Sequence, residues 1–379
     1  MHATMATSSE QQHTTKALEL ATQALFLSNP NPRVGCVITS PDGQEVLGQG
    51  FTQQAGGPHA EVMALRDAAA RGNNSLQGAT AYVTLEPCSH HGRTGPCCDA
   101  LIGAGIGKVV ASLADPNPLV AGQGFARLRA AGVDVAVGPG ATESRDLNIG
   151  FFSRMVRGTP WVRLKTAASL DGTTALANGQ SQWITSPAAR ADGHAWRARA
   201  CAVLTGIGTV LDDDPRLDVR DVATPRQPHL VIVDSQLQTP LQARLWSVPG
   251  RSTCLIYTAV RDEAKKAALE SRGATVIHLP NAQGKVDLGA MLQDLGRQRA
   301  INELHVEAGH KLNGSFLREG LVDELLLYQA PRLLGPGLGM AQTAPLQSLA
   351  EGTALDYISV DRIGPDLRIV ARVQGRDRF

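Results

Sequence analysis

Residues 79–105 read ATAYVTLEPCSHHGRTGPCCDALIGAG. The segment opens as a strand, ATAYVTL, crosses a loop, and starts a helix at Pro96-Cys97, so it carries one strand-to-helix step of an alternating chain. Cys88, His90, His91, Cys97 and Cys98 all fall within eleven positions of it. So many reactive groups do not gather in a loop by accident, and three readings stand open: a disulfide, a nucleophile with its base, or a metal site.

The alternation continues in both directions. Downstream, KVVASLA reads as a strand, GQGFARLRAAG as a helix and VDVAVG as a strand. Upstream, GGPHAEVMALRDAAARG is a helix opening near Pro58 and closing at Gly72. Before it, VGCVITS and QEVLGQGF flank a Pro41-Asp42-Gly43 turn and read as a hairpin. Leu18, Leu20, Ala21, Ala24, Leu25 and Leu27 recur at helical spacing, while residues 1–14 read as a polar, flexible tail. Strands alternating with helices predict an αβα sandwich on a largely parallel sheet.

A break is expected around 150–160, where GFFSRMVRGTPW leads into a second series. Strands are predicted there over 161–168, 201–206, 229–234, 254–258, 274–279, 303–307 and 323–330, with two more near the C-terminus. Helices are predicted over 186–199, 261–272, 287–299 and 311–319. The expected division is a first domain over 15–155 and a second over 156–379, each α/β, and without an internal repeat the two should do different work.

Composition narrows the partners. With net charge +1 and no Lys/Arg run, the chain lacks the electrostatic footprint of a nucleic-acid binder, which leaves small molecules. Its apolar stretches are strand-sized, short of the roughly 20 residues a membrane span needs. The N-terminus has no apolar signal region, so a cytoplasmic protein is expected, where structural disulfides are rare.

That returns the cysteines to metal or catalysis. His59 and Glu61 sit at a helix start, Cys88 follows a strand, and Cys97 opens the next helix. Thiolates bind metal, and helix N-termini favour them. One His and two Cys leave a tetrahedral zinc ion one open position, the mark of a catalytic site. Glu61, beside the set without belonging to it, suits a general acid/base. Zinc deaminases combine H-x-E with P-C-x-x-C, but here eight residues, SHHGRTGP, separate Cys88 from Cys97. A structural zinc, a redox pair and buried free thiols are the alternatives. A deaminase acting on free nucleotides or tRNA is the rival enzyme, although neutral charge argues against tRNA. In the second half, Gly206 and Gly208 begin a dinucleotide fingerprint that Leu211 breaks, and VEAGHKLNGSFL runs from a strand into a helix start able to bind phosphate.

NPNPRVGCVI, GGPHAEVMAL, AYVTLEPCSHHGRTGPCCDALI and ADPNP resemble the deaminase half of the bifunctional riboflavin-biosynthesis deaminase/reductase family of bacteria. RLKTAASLDGTTA, SQWITSPAAR, TGIGTVLDDDPRLDVR, IVDSQL and VEAGHKLNGSFL resemble its reductase half, so the likeness spans about 15–375. It implies a cytidine-deaminase-like sandwich followed by a dihydrofolate-reductase-like domain, which accounts for the broken fingerprint. It implies zinc-dependent removal of the 2-amino group of 2,5-diamino-6-(5-phosphoribosylamino)pyrimidin-4-one, then NADPH-dependent reduction of the ribose of the product to ribityl. The implied zinc ligands are His59, Cys88 and Cys97, with Glu61 as proton shuttle and Asn31, His90 and Arg93 at the substrate. His91 and Cys98 are left as bystanders. Cofactor contacts are implied for Ala167, Trp183, Thr209, Asp213, Ser235 and the turn Gly309, His310, Lys311, Leu312, Asn313, Gly314, Ser315. Substrate contacts are implied for Ser181, Arg197, Leu217, Arg220 and Glu307; the two arginines would partner the ribose phosphate, and Lys165 and Asp171 are further candidates. The family also implies a homo-oligomer, dimer or tetramer. The chain departs from it at Gly95, often Pro, and at His310, often smaller.

Overall fold

In the computed structural model, residues 8–90, 95–118, 120–251 and 253–379 are described. The chain divides between Arg157 and Gly158 into two compact units.

The first unit runs α1 (Ser8–Thr22), β1 (Gly35–Thr39), β2 (Val46–Phe51), α2 (Ala60–Ala70), β3 (Thr80–Val83), α3 (Cys97–Gly103), β4 (Lys108–Ala111), α4 (Gln123–Ala130), β5 (Asp134–Val137), α5 (Ala141–Leu147) and α6 (Ile149–Arg157). Among the described residues its sheet has the order β2-β1-β3-β4-β5. The sheet is more mixed than expected. The hairpin brings β1 in antiparallel to both β2 and β3, and only β3, β4 and β5 are mutually parallel.

One local expectation is corrected. Residues 8–14 belong to α1, tied down by Lys108 donating to Glu10 at 2.7 Å and by a His13 ring contact to the Gly43 carbonyl at 3.0 Å. The division falls within the expected 150–160 stretch, and up to Arg157 that stretch is α6, which buries Phe151 and Phe152 in the core of the first unit. Helix α2 lies on the sheet at backbone distance. A Cβ on Gly48 would stand 2.3 Å from the Ala64 carbonyl oxygen, and one on Gly50 would stand 2.5 Å from the Met63 Cβ, so only glycine permits this approach.

The second unit runs β6 (Trp161–Ser169), β7 (Ala175–Leu176), α7 (Pro187–Arg199), β8 (Ala202–Gly206), α8 (Ile207–Asp213), β9 (His229–Val233), β10 (Cys254–Thr258), α9 (Glu263–Glu270), β11 (Ala274–His278), α10 (Leu288–Arg297), β12 (Glu303–Val306), α11 (His310–Arg318), β13 (Glu324–Ala330), β14 (Gly337–Leu338), β15 (Leu355–Ile363) and β16 (Asp366–Val373). Its main sheet has the order β11-β10-β9-β8-β12-β6-β13-β16-β15. The seven strands from β11 to β13 are parallel, and β16 and β15 add antiparallel. Parallel strands covered on both faces read as continuous apolar runs, which is why 229–234 and 254–258 were legible as strands. Helix α7 begins where Ser186 accepts the Ala189 N–H at 3.3 Å and Pro187 takes the first turn.

Strand order places the ligand crevice of this unit. From β8 the chain moves outward to β9, whereas from β12 it moves the other way to β13, so the connections diverge between adjacent strands β8 and β12. Ligands of open parallel sheets bind beyond the carboxyl ends of such strands.

Candidate active sites

Each sequence-marked residue of the first unit arrives at one place through the ends of its element. His59 is the N-cap of α2, Glu61 lies in the first turn of α2, Cys88 lies in the loop after β3, and Cys97 follows the N-cap Pro96 of α3. His59 Nδ1 lies 3.7 Å from Cys88 Sγ and 3.4 Å from Cys97 Sγ, and the three ligand atoms all fall within 4.8 Å of one another. A tetrahedral ion with Zn–S about 2.3 Å and Zn–N about 2.0–2.1 Å requires ligand separations of roughly 3.5–3.8 Å. The donor set fits zinc in chemistry and in span.

The electrostatics agree. The Cys88 thiol is held down at about 4, first by its hydrogen bond with Cys97 and then by His59 and the Cys97 backbone N–H at 3.3 Å. Cys97 is raised, first by its hydrogen bond with Cys88 and then by burial. The hydrogen bond with Cys88 raises His59. Glu61 is 3% exposed, and burial raises its carboxyl, with the nearby Cys88 charge adding to the effect. Cys98 turns away from the cluster, donating to the Pro87 carbonyl at 3.1 Å.

A cavity of about 470 Å³ opens onto His59, Glu61 and Cys88, and Asn31 and His90 line it too. Asn31 is set by a turn in which its N–H donates to the Ser28 carbonyl at 2.8 Å. Phe151 and Met155 of α6 form an apolar wall. The Asn148 side chain, just before α6, bonds both ways with the Arg33 backbone, at 2.7 and 2.9 Å. Arg93 and His91 lie outside the described residues. Glu86, Asp115 and Asn117 also line the cavity, and residue-by-residue reading passed over them, although ADPNP was part of the resemblance.

In the second unit a cavity of about 590 Å³ gathers Lys165, Ala167, Ser181, Trp183, Arg197, Thr209, Asp213, Leu217, Arg220 and Glu307. Glu307 is its electrostatic centre. Arg197 grips both carboxylate oxygens, Lys165 stands 3.7 Å away and the buried His305 3.2 Å away. Burial alone would raise Glu307, but Arg197 and then Lys165 hold it well below the usual carboxylate range. The remaining Arg197 nitrogen donates to the Asp218 carbonyl at 2.9 Å. Three of its five N–H donors are thus taken up by the protein, and this grip orients Glu307 within the cavity. Arg220 bonds Asp218 at 2.7 Å while its side chain stays about half exposed (49%). His194 accepts the Arg220 N–H at 3.4 Å and stands 3.2 Å from Asp221. Burial, then the charges of Arg197 and Arg220, lower His194 to about 4.

Several expected residues do not line this cavity. The Asp171 carboxylate accepts from Ser169 and from the N–H of Gly335 at 2.8 Å, so it pins a turn. Ser235 Oγ accepts the Val286 N–H at 3.1 Å. In the Gly309–Ser315 turn, Gly309 caps α11 and the His310 carbonyl accepts the Gln342 N–H at 2.8 Å. Asn313 donates to the Met340 carbonyl at 2.9 Å, and a Cβ on Gly314 would stand 1.9 Å from the Gln342 oxygen. Residues 340–342 thus pack on Asn313 and Gly314 of α11. Leu312 reaches within 3.1 Å of a Cβ built on Gly206, bringing the start of α11 to the end of β8, at the crevice.

Comparison with known proteins agrees with the two-domain reading. Residues 7–113 match the cytidine and deoxycytidylate deaminase zinc-binding region, and residues 160–369 match the RibD C-terminal domain. The riboflavin biosynthesis protein RibD of Escherichia coli is 45% identical over 371 residues, covering 94% of this chain and 98% of the relative. The chain belongs to the RibD family. The RibD of Aquifex aeolicus is 40% identical over 353 residues, with coverage of 93% and 95%. Among solved structures, Acinetobacter baumannii RibD shares 41% identity at a TM-score of 0.85, covering 96% of this chain and 98% of that one. A diaminohydroxyphosphoribosylaminopyrimidine deaminase/5-amino-6-(5-phosphoribosylamino)uracil reductase from Thermotoga maritima shares 31% at 0.83, with coverage of 96% and 99%. As a RibD-family chain, this protein joins a zinc-binding deaminase domain to an NADPH-dependent reductase domain and acts in riboflavin biosynthesis. No helix among the described residues is long and apolar enough to cross a membrane.

Proposed function

We propose that the first unit hydrolyses 2,5-diamino-6-(5-phosphoribosylamino)pyrimidin-4-one to 5-amino-6-(5-phosphoribosylamino)uracil, and that the second reduces the ribose of that product to ribityl. The observation that carries the first half is the His59–Cys88–Cys97 triangle with buried Glu61 lining the same cavity. His59, Cys88 and Cys97 would hold zinc, which supplies Lewis acidity and brings the pKa of water towards neutrality when bound. Glu61, its carboxyl raised by burial, carries one proton of the attacking water to the ring nitrogen and then the second, from the hydroxyl left on the carbon, to the departing amine. Water enters and ammonia leaves. Asn31, able both to donate and to accept, reads the ring edge, and His90 and Arg93 meet the ribose phosphate end.

In the second unit, Arg220 with its partly exposed fork receives the substrate phosphate. Glu307, held by Arg197 and Lys165, faces the sugar hydroxyls. Ala167, Trp183, Thr209 and Asp213 would hold NADPH with the start of α11, whose backbone N–H groups suit a pyrophosphate; Ser235 sits near the end of β9 as a further contact. NADPH supplies the hydride, and this chain's residues hold the opened sugar in line with it.

A homo-oligomer in the cytosol is part of the same reading. It is supported by the edge strand β15, which leaves Tyr357 75% exposed, and by the absence of a disulfide among the described residues, which include all six cysteines. Metal analysis should find about one zinc per chain. Chelation should stop ammonia release while NADPH oxidation on the deaminated substrate continues. Ammonia release from protein freed of transition metal would overturn the assignment.

A further inference from the structure

Glu86 stands in the motif that supplies Cys88, yet its carboxylate takes its hydrogen bonds from backbone N–H groups of a later segment. Its side chain is 6% exposed. One oxygen accepts the N–H groups of Asp115 and Gly122, at 3.0 and 2.9 Å. The other accepts those of Gly124 and Phe125, at 2.8 and 3.3 Å. Four backbone donors converging on one buried carboxylate form a clamp, since each loses its partner if the carboxylate goes.

The clamped donors lie at both ends of the segment that walls the deaminase cavity, where Asp115, Asn117 and Val120 line it. Within the segment, Asp115 Oδ1 accepts the Asn117 N–H at 2.8 Å, so the first clamped residue fixes the second lining residue in turn. The far end is held by sterics as well. Gly124 passes so close to the motif that a Cβ there would stand 2.1 Å from the Pro87 carbonyl oxygen.

We propose that Glu86 is a positioning residue for deamination: it locks the Asp115–Asn117 wall against the zinc motif, so that the polar groups reading the pyrimidine stand in fixed register with Glu61. The inference rests on the deaminase reading above. A Glu86→Gln change keeps the shape but turns an NH₂ group towards backbone N–H donors, two hydrogens face to face where an acceptor is needed.

The test uses the full-length zinc-loaded protein, with ammonia release from the diaminopyrimidine and NADPH oxidation on the deaminated substrate measured side by side. Glu86→Gln should raise the deaminase KM at least tenfold with kcat within threefold of the parent. Zinc should stay at one per chain, and reductase constants should stay within twofold. Gly124→Ala, which displaces the same wall with the carboxylate intact, should produce the same KM-selective loss, and it keeps the test decisive if Glu86→Gln does not fold. An unchanged KM in a folded variant, or loss of zinc in step with activity, overturns the proposal; the latter would mean that Glu86 acts through Cys88. A parent protein that releases no ammonia would instead overturn the deaminase reading itself.

Discussion

Replacing Glu307 by Gln should damage the second unit twice, in stability and in reduction. The side chains of Arg197 and Glu307 are 16% and 12% exposed, and Lys165 is 24% exposed. Breaking a buried pair by removing one partner costs roughly 3–5 kcal/mol, because the other charge stays buried without its partner. Gln retains one acceptor, and Lys165 is partly solvated, so the lower end applies, about 3 kcal/mol. At roughly 2–4 °C per kcal/mol for a unit of this size, the melting temperature should fall by about 6–12 °C. All four tryptophans, Trp161, Trp183, Trp196 and Trp246, belong to the second unit, so their fluorescence follows its unfolding alone. The folded Glu307 value lies well below the unfolded one, so its stabilisation is complete above the ordinary carboxylate range and is lost as the pH falls through the folded value. The gap between parent and variant should therefore hold from pH 7 to about pH 5 and close only in stronger acid. NADPH oxidation should be largely lost while ammonia release persists. A fluorescence transition coincident with the parent's, together with full reductase activity, would refute the reasoning.

Arg220→Ala removes a charge-assisted contact worth about 1.5–3 kcal/mol, so KM for the phosphorylated reductase substrate should rise roughly 10- to 100-fold; an unchanged KM would move the phosphate elsewhere. Cys98→Ala should keep one zinc per chain and both activities, with about 1 kcal/mol of stability lost as the Pro87 carbonyl gives up its donor, whereas Cys97→Ala should lose the metal. Metal analysis of the two variants separates the adjacent thiols directly.

The zinc site was legible because its signals are local. His59 and Cys97 begin helices and Cys88 follows a strand, so short motifs report both residue type and placement. The parallel strands of the second unit were legible for a related reason: buried runs such as HLVIV and CLIYT admit few other structures. Long-range pairing was not legible. Nothing near Arg197 in sequence shows that Glu307, 110 residues on, accepts from its guanidinium. Glu86 looked like part of EPC because the backbone groups it clamps come 29 to 39 residues later. Nothing within the Gly309–Ser315 turn shows that residues 340–342 pack on Asn313 and Gly314. The early start of α1 was missed because its polar first turns are held by Lys108 and Gly43 from other elements rather than by apolar spacing.

The central claim is that one chain carries two separate chemistries, with Glu61 serving only the first. It is tested most directly by assaying Glu61→Gln for ammonia release and for NADPH oxidation on pre-deaminated substrate. The expected result is a loss of ammonia release by about 10²–10⁴-fold, the usual contribution of a positioned proton shuttle, with zinc content and NADPH oxidation unchanged. Loss of both reactions in a folded, zinc-loaded variant, or retention of ammonia release, would contradict the account.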